Sequence, residues 1–214
     1  MHPLARFLRY FFHHLYHGLA WSYPWVSNAV SFGHWDEWAA SILPLLGQGR
    51  ALELGHGLGH LQAKIRRETA LRSAALDESA QMSHLAAQHL RRAGMPDLRL
   101  VRGVAQHLPF GTAAFETVLC TFPSDYIFDP KTLAEIWRVL KQHGRLVALP
   151  VAWPSNALLA WLFRVTGESP AGAIEMAREK LGRPFRTAGF AVEVRRVALP
   201  SSTVLIILAE KSSG

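Results

Sequence analysis

From residue 50 onward, short apolar runs alternate with segments whose apolar residues recur every three or four positions. Runs of the first kind predict buried strands, and segments of the second kind predict amphipathic helices. The strands predicted in this way span 50–54, 73–76, 98–102, 116–121, 145–149, 190–197 and 203–209. The helices predicted between them span 59–68, 79–93 and 130–140, followed by a helical insert at about 153–182. Since strands separated by helices form parallel βαβ units, the pattern predicts an α/β fold with a doubly wound, mostly parallel sheet.

The last two predicted strands are joined by a short connection that contains residues 199–202. A parallel crossover needs a dozen residues or more, so these two strands are expected to form an antiparallel hairpin. We therefore predict one globular unit over residues 47–214, preceded by a helical cap or lid at 1–46 whose last helix is predicted at 35–46.

Residues 1–20 carry an apolar stripe and a basic stripe on opposite faces of a predicted helix. One interpretation is a lid whose apolar face packs on the sheet. The other is contact with an anionic membrane, through which the protein would be peripheral at the inner membrane face. The helix contains two arginines and no lysine, so the electrostatic attraction to such a membrane is small.

Composition narrows the class of protein further. The net charge is +7, but the basic residues are scattered, and we expect no nucleic acid as a partner. The one cysteine, Cys120, cannot form a disulfide within the chain, which fits a cytoplasmic location. No uninterrupted apolar run reaches the length of a membrane-spanning helix. We expect a monomer or a homodimer.

A glycine-rich loop follows the first predicted strand, in the sequence Glu53-Leu54-Gly55-His56-Gly57-Leu58-Gly59. A strand that runs through glycines into a helix is typical of nucleotide-binding sites, because glycine lets a ligand approach the backbone closely. His60 stands where a dinucleotide loop has its third glycine, which disfavours a nicotinamide-dependent oxidoreductase. Asp77 ends the second strand, where a carboxylate can bind the hydroxyl groups of a ribose.

Five segments then occur in a fixed order: ALELGHGLGH, AALDESAQM, RGVAQHLPF, FETVLCTFP and EIWRVLKQHGRLVAL. Together they resemble the successive motifs of class I S-adenosylmethionine-dependent methyltransferases, in particular the ubiquinone/menaquinone-type and phospholipid-type enzymes. The resemblance implies a seven-stranded sheet of order 3-2-1-4-5-7-6, with the last strand antiparallel and helices on both faces. It also implies S-adenosyl-L-methionine as the cofactor.

Carried over residue by residue, the resemblance assigns the cofactor-binding side chains and backbone. These residues are Glu53, Gly55, His56, Gly57 and Gly59 for the methionine part, Asp77 for the ribose, Glu78, Met82, Ala105 and Gln106 for the adenine, and Thr121 for the region of the methyl group. The chain departs from the family at Val104, where members usually have an aspartate that accepts a hydrogen bond from the adenine amino group. This departure leaves open a protein that binds the donor without turnover, as a regulator or scaffold.

The expected acceptor is a small hydrophobic or amphiphilic molecule, such as a quinone precursor or a lipid headgroup, because aromatic residues surround the expected methyl position. The substrate-pocket candidates are Tyr23, Trp25, Phe32, Trp35, Phe122 and Tyr126. His34 and Asp125 are the acid–base candidates. The alternative for His34, which is favoured for any single histidine, is that it only packs or caps a helix. His56 and His60 have no third ligand nearby in the sequence, so we expect no metal. The segment Thr121-Phe122-Pro123-Ser124 also lacks the motif that accompanies methylation of nucleic-acid amino groups.

Overall fold

Seven strands form one sheet with helices on both faces in the computed structural model, which describes residues 34–154, 170–200 and 202–212. The strands are β1 (Arg50–Leu54), β2 (Arg72–Asp77), β3 (Arg99–Arg102), β4 (Phe115–Thr121), β5 (Leu140–Pro154), β6 (Ala191–Ala198) and β7 (Ser202–Glu210). The helices are α1 (Trp35–Ala40), α2 (His60–Glu68), α3 (Ala80–Arg92), α4 (Pro130–Val139) and α5 (Pro170–Thr187). Two 3-10 helices lie at Leu43–Leu45 and Asp125–Phe128.

The order of the strands in the sheet is β3-β2-β1-β4-β5-β7-β6. Strands β1 to β5 pair in parallel, whereas β7 runs antiparallel to both β5 and β6. The predicted sheet and its closing hairpin are therefore confirmed. The carboxyl ends of β1, β2 and β4 meet at one edge, which is where ligands bind in open α/β sheets.

Alternating residues of the central strands belong to two separate hydrophobic cores, one on each face of the sheet. Leu52 of β1 and Val118 of β4 belong to the core under α4 and α5, whereas Ala51 and Leu119 belong to the core under α1 and α2. Successive strand residues point to opposite faces, and both faces are covered here by helices. This is why the central strands are almost uniformly apolar.

Three elements differ from the sequence-based prediction. The single helix expected at 35–46 is α1 followed by a 3-10 turn, since Pro44 lacks the N–H that a continuous helix needs. Strand β5 is longer at both ends than 145–149, and its register against β4 shifts between Phe115 and Thr117. Helix α5 ends at Thr187, beyond the expected limit of the insert at 182.

Several predicted features lie outside the described residues. They are the helix at 1–20, the aromatic residues Tyr23, Trp25 and Phe32, and the part of the insert at 155–169. Within the described ranges, no helix combines the length and the apolar character that crossing a bilayer requires.

Candidate active site

The glycine loop between β1 and α2 uses backbone conformations that favour glycine. Gly55, Gly57 and Gly59 have φ angles of 75°, 51° and 78°. A Cβ atom added to Gly57 would meet nothing within 4 Å, so this part of the loop opens onto free space. The Gly55 N–H donates to Leu76 O at 2.8 Å, which ties the loop to the end of β2. The result is an open, backbone-lined cradle of the kind that nucleotide ligands occupy.

Asp77, at the end of β2, holds this cradle against the start of α3. Its Oδ2 accepts a hydrogen bond from the Gly57 N–H at 2.9 Å, and its Oδ1 accepts one from the Ser79 N–H at 2.9 Å. Each carboxylate oxygen has a further lone pair, so the group can still accept hydrogen bonds from two hydroxyls. Asp77 thus shapes the loop and keeps lone pairs available to a ligand, and its binding of the ribose stays a prediction.

A buried hydrogen-bonded chain lies beneath the cradle. Ser73 Oγ donates to Gln62 Oε1 at 2.8 Å, and Gln62 Nε2 donates to Glu53 Oε2 at 2.7 Å. Glu53 is only 1% exposed, and this burial raises its pKa to about 8, although the bond from Gln62 opposes the rise. At neutral pH the side chain is therefore mostly protonated in the free protein. Gln62 and Ser73 were missed by the sequence analysis.

His56 is the one loop side chain that turns into the protein. It is 4% exposed, its Nδ1 lies 2.9 Å from Gly57 O, and its buried Nε2 has no hydrogen-bond partner among the described residues. Burial lowers the pKa of His56 despite the nearby Asp77 carboxylate, so the imidazole is neutral. A buried ring nitrogen without a partner is costly, and a polar ligand group would satisfy it.

The residues expected around the adenine lie in three different surroundings. Glu78 and Val104 line a shallow cleft beside Asp77. Met82 and Ala105 are buried, and Met82 lies outside the lining of that cleft. Gln106 is tied to the start of α4, because its Nε2 donates to Asp129 Oδ2 at 3.2 Å.

The loop that carries Ala105 and Gln106 is held by a charged clamp on α4. Arg138 donates from Nη1 to Phe110 O at 2.8 Å and from Nη2 to Leu108 O at 3.0 Å. Glu135 accepts from the Leu108 N–H at 2.7 Å and from Arg138, and the hydrogen bonds from Arg138 lower its pKa to about 2. Hydrogen bonds from the Arg138 guanidinium and to the ionised Glu135 carboxylate thereby fix the backbone of this loop, which forms no helix or strand.

The carboxyl end of β4 lies beside the cradle. Glu53 pairs with Leu119 in the β1–β4 register, so Thr121 lies level with Gly55 two residues further on. Tyr126 comes from the 3-10 helix after β4, and its hydroxyl donates to Leu54 O at 3.1 Å. A Cβ atom on Gly55 would lie 3.0 Å from that hydroxyl. Tyr126 therefore contacts the glycine loop directly and borders the cofactor side as well as the expected substrate pocket.

An aromatic cluster stands just beyond Thr121. The ring of Phe122 lies 4.7 Å from that of Trp35 and 5.4 Å from that of Trp38. Trp38 is buried and fixed, since its Nε1 donates to Ser202 Oγ at 2.5 Å. Phe122 has φ 49°, a left-handed conformation that is strained for a bulky residue, and its N–H donates to Leu149 O at 2.7 Å.

The two acid–base candidates occupy separate elements. His34 precedes α1, with its Nδ1 3.5 Å from Glu37 Oε2. Asp125 begins the 3-10 helix after β4 and is exposed. No described contact joins these two side chains, and their roles stay predictions. The described residues contain no group of three or more His, Cys, Asp or Glu side chains arranged to hold a metal ion.

Comparison with known proteins agrees with this geometry. Residues 52–148 match the family described as "Methyltransferase domain". A demethylmenaquinone methyltransferase from Lactiplantibacillus plantarum is 32% identical over 152 residues, which cover 68% of this chain and 64% of the relative. Over these residues the chain is similar to the class I S-adenosylmethionine-dependent methyltransferases.

Solved structures show that other proteins share the fold of this chain. The YcgJ protein from Bacillus subtilis superposes with a TM-score of 0.62 at 15% identity, over 84% of this chain and all of the other. A Haemonchus contortus phosphoethanolamine N-methyltransferase, solved with phosphomonomethylethanolamine and S-adenosylhomocysteine, also gives 0.62 at 15% identity, over 85% of this chain and 53% of the other. The chain spans somewhat less than two thirds of the length of the demethylmenaquinone methyltransferase that it resembles.

The residues of the site fit S-adenosylmethionine, the cofactor that the similar methyltransferases indicate. The open cradle at Gly57 leaves space for the methionine part, and Asp77 retains lone pairs for the ribose. His56 Nε2 is a buried polar atom that lacks a partner. The cleft at Val104 continues from Asp77 and has room for a base.

Two features of this site could have been found by closer inspection of the sequence. Gln62 lies on the face of α2 that packs on the sheet, where an amide among apolar residues signals a buried partner. Glu135 and Arg138 are spaced three residues apart on a helix, which makes them neighbours. Their link to Leu108, however, connects elements that no local pattern joins.

Proposed function

We propose that this chain transfers a methyl group from S-adenosylmethionine to a small apolar acceptor with an aromatic ring, of the quinol type. The observation that carries the proposal is the cluster of Trp35, Trp38 and Phe122 beside the cofactor cradle. The relative named as a demethylmenaquinone methyltransferase supports the same class of acceptor.

The cluster is suited to a flat, uncharged molecule. Aromatic rings recognise such molecules by stacking or edge contacts at centroid distances like those within the cluster itself. Trp35 and Phe122 are both half-buried, so part of each ring remains available to a ligand. Trp38 is fully buried and serves as the support behind them.

The strained backbone at Phe122 adds to this argument. A left-handed conformation at a bulky residue costs energy and persists only where the surroundings enforce it. Here the hydrogen bond from Phe122 N–H to Leu149 O and the contacts with two tryptophans enforce it. The strain turns the ring toward α1, and we infer that it sets the wall against which an acceptor ring would lie.

When bound, S-adenosylmethionine supplies an electrophilic methyl group that leaves a neutral thioether behind. A quinol carbon that accepts this methyl group forms one C–C bond and loses one proton. The chain must therefore align the acceptor ring and exclude water from it. His34, beside Trp35, and Asp125, beside Tyr126, are the side chains that we propose for moving protons.

Two further predictions concern the surroundings of the enzyme. We propose contact with an anionic membrane through residues 1–20, which would bring the protein close to apolar quinols; the amphipathic pattern of that segment supports this. We also propose a monomeric or homodimeric enzyme.

The acceptor site is tested with Trp35→Ala. Full-length protein is incubated with S-adenosylmethionine and a demethylated naphthoquinol, and the methylated product is measured by mass spectrometry. We expect product from the wild type and a rise of about tenfold in KM for the quinol in Trp35→Ala, because one aromatic contact contributes about 1 kcal/mol beyond its buried area. The Kd for the donor should stay unchanged.

Trp137→Ala is the matched control. Trp137 is also half-buried and contacts a phenylalanine, Phe190, edge-to-face at a ring distance of 4.8 Å, but it lies on α4 in the other core. Its replacement should lower thermal stability and leave KM unchanged. Equal changes in KM for both variants would contradict the acceptor site, and donor binding without product from any quinol would contradict the proposed turnover.

A further inference from the structure

The cleft beside Asp77 is lined in part by an exposed valine, Val104. It has a volume of about 430 Å3 and is open to solvent. Its lining consists of the residues after β2 and those at the end of β3, namely Glu78, Ser79, Ala80, Gln81, Arg102 and Val104. Val104 is 44% exposed and is the single exposed large apolar side chain in the described part of the chain.

The position of the cleft makes it the base-binding part of the cofactor site. The Gly103 N–H donates to Asp77 O at 3.1 Å, so Val104 is separated from the ribose-binding residue by one glycine. An exposed valine at this point offers an apolar surface to the face or edge of a planar base. A base that continues from a ribose at Asp77 would cover Val104 and remove it from water.

The polar groups of the cleft do not define one pattern of hydrogen bonds. Arg102 offers donors only, and its Nε already donates to Glu78 O at 3.3 Å. Ser79 Oγ accepts from the Met82 N–H at 3.2 Å as the cap of α3. The Gln81 amide can donate or accept by rotating. Glu78 carries the one carboxylate of the lining, and it is exposed, so water competes for its hydrogen bonds.

Adenine and hypoxanthine differ in the hydrogen-bond donors and acceptors that they present at this edge of the base. The 6-amino group of adenine donates, whereas the 6-oxo group of hypoxanthine accepts and the adjacent ring nitrogen donates. A site rejects the wrong group strongly only when it buries a fixed partner that would be left unpaired. Val104 cannot be such a partner, and Arg102 would favour the oxo group.

We propose that the cleft at Val104 does not select for a 6-amino purine, so that the protein binds the deaminated, inosyl form of its cofactor almost as well as the adenosyl form. This inference rests on the proposed cofactor site and names the residue that sets its selectivity for the base. Val104 is the specificity-determining position, and Arg102 is the donor that accommodates the oxo group.

The test is isothermal titration of the full-length protein with S-adenosylhomocysteine and with S-inosylhomocysteine. We expect the two Kd values to differ by less than about tenfold in the wild type. Val104→Asp supplies a carboxylate acceptor, and it should tighten adenosyl binding and weaken inosyl binding, so that their Kd ratio rises by at least about tenfold. The exposure of Val104 makes this substitution compatible with folding.

Two controls separate the contributions. Val104→Ala removes apolar contact without adding an acceptor, and it should weaken both ligands equally. Glu78→Gln should leave the ratio unchanged. A wild-type preference of more than tenfold for the adenosyl ligand, an unchanged ratio in Val104→Asp, or a ratio that collapses in Glu78→Gln would each overturn the inference. Failure of both ligands to bind would instead contradict the cofactor site itself.

Discussion

Replacing Asp77 with asparagine is expected to weaken S-adenosylmethionine binding by about 10- to 100-fold. The carboxylate accepts hydrogen bonds from the N–H groups of Gly57 and Ser79, one on each oxygen. An asparagine can accept on one side only and would present its NH2 group to the other N–H. It also loses the charge that strengthens hydrogen bonds from ribose hydroxyls, and a hydrogen bond to a charged group contributes about 1.5–3 kcal/mol.

Titration calorimetry measures the affinity of each variant for the cofactor, and thermal unfolding measures its stability. Asp97→Asn is the matched control, since Asp97 is an exposed aspartate near β3 that pairs with Arg66 at 3.4 Å, away from the cradle. We expect Asp97→Asn to bind the cofactor like the wild type. Wild-type affinity in Asp77→Asn would contradict the role of Asp77, and so would equal losses of affinity in the two variants.

Glu53 is expected to make the stability of the free protein depend on pH between about 4.5 and 8. Burial raises its pKa from 4.5 to about 8 in the folded protein. Because the folded-state pKa is the higher one, this contribution to stability is fully present below pH 4.5 and is lost as the pH rises through about 8. Thermal unfolding measured across this range should show the decline, and Glu53→Gln should flatten it.

The same group links cofactor binding to proton release. The methionine part of the cofactor carries an ammonium group, and a positive charge near Glu53 favours the ionised carboxyl. Calorimetry at pH 7 in buffers of different ionisation enthalpy should therefore show release of a proton on binding. Glu53→Gln should abolish this release, whereas Glu68→Gln, at the exposed end of α2, should retain it. Proton uptake, or release that is unaffected by Glu53→Gln, would contradict the assignment.

The order and direction of the strands were largely predictable from the sequence. Most residues of β1, β4 and β7 are buried because both faces of the sheet are covered, and the short connection before β7 allows only a hairpin. Element ends were less predictable. Strand β5 begins at Leu140, but His143 (φ 60°) and Gly144 interrupt its apolar pattern, so only its central part could be recognised.

The site was predictable where it depends on the backbone of one loop or on one residue at a strand end. Gly55, Gly57 and Asp77 lie where the pattern of strand, loop and helix requires them. The link from Tyr126 to Leu54 was not predictable, because it joins residues 72 positions apart and its partner is a backbone carbonyl. Met82 was expected at the adenine; it is buried, and its contact with the base stays a prediction.

The central claim, that this chain holds S-adenosylmethionine in the cradle at Gly57, is tested most directly by one measurement. Full-length protein is titrated with S-adenosylhomocysteine in a calorimeter, with Gly57→Ala and Gly94→Ala as paired variants. Both glycines have positive φ, 51° and 76°, and open space at the Cβ position, so both substitutions impose similar backbone strain. We predict one site per chain in the wild type and in Gly94→Ala, and binding weakened at least about tenfold in Gly57→Ala. Absence of binding by the wild type at millimolar ligand, or equal binding by the two variants, would contradict the claim.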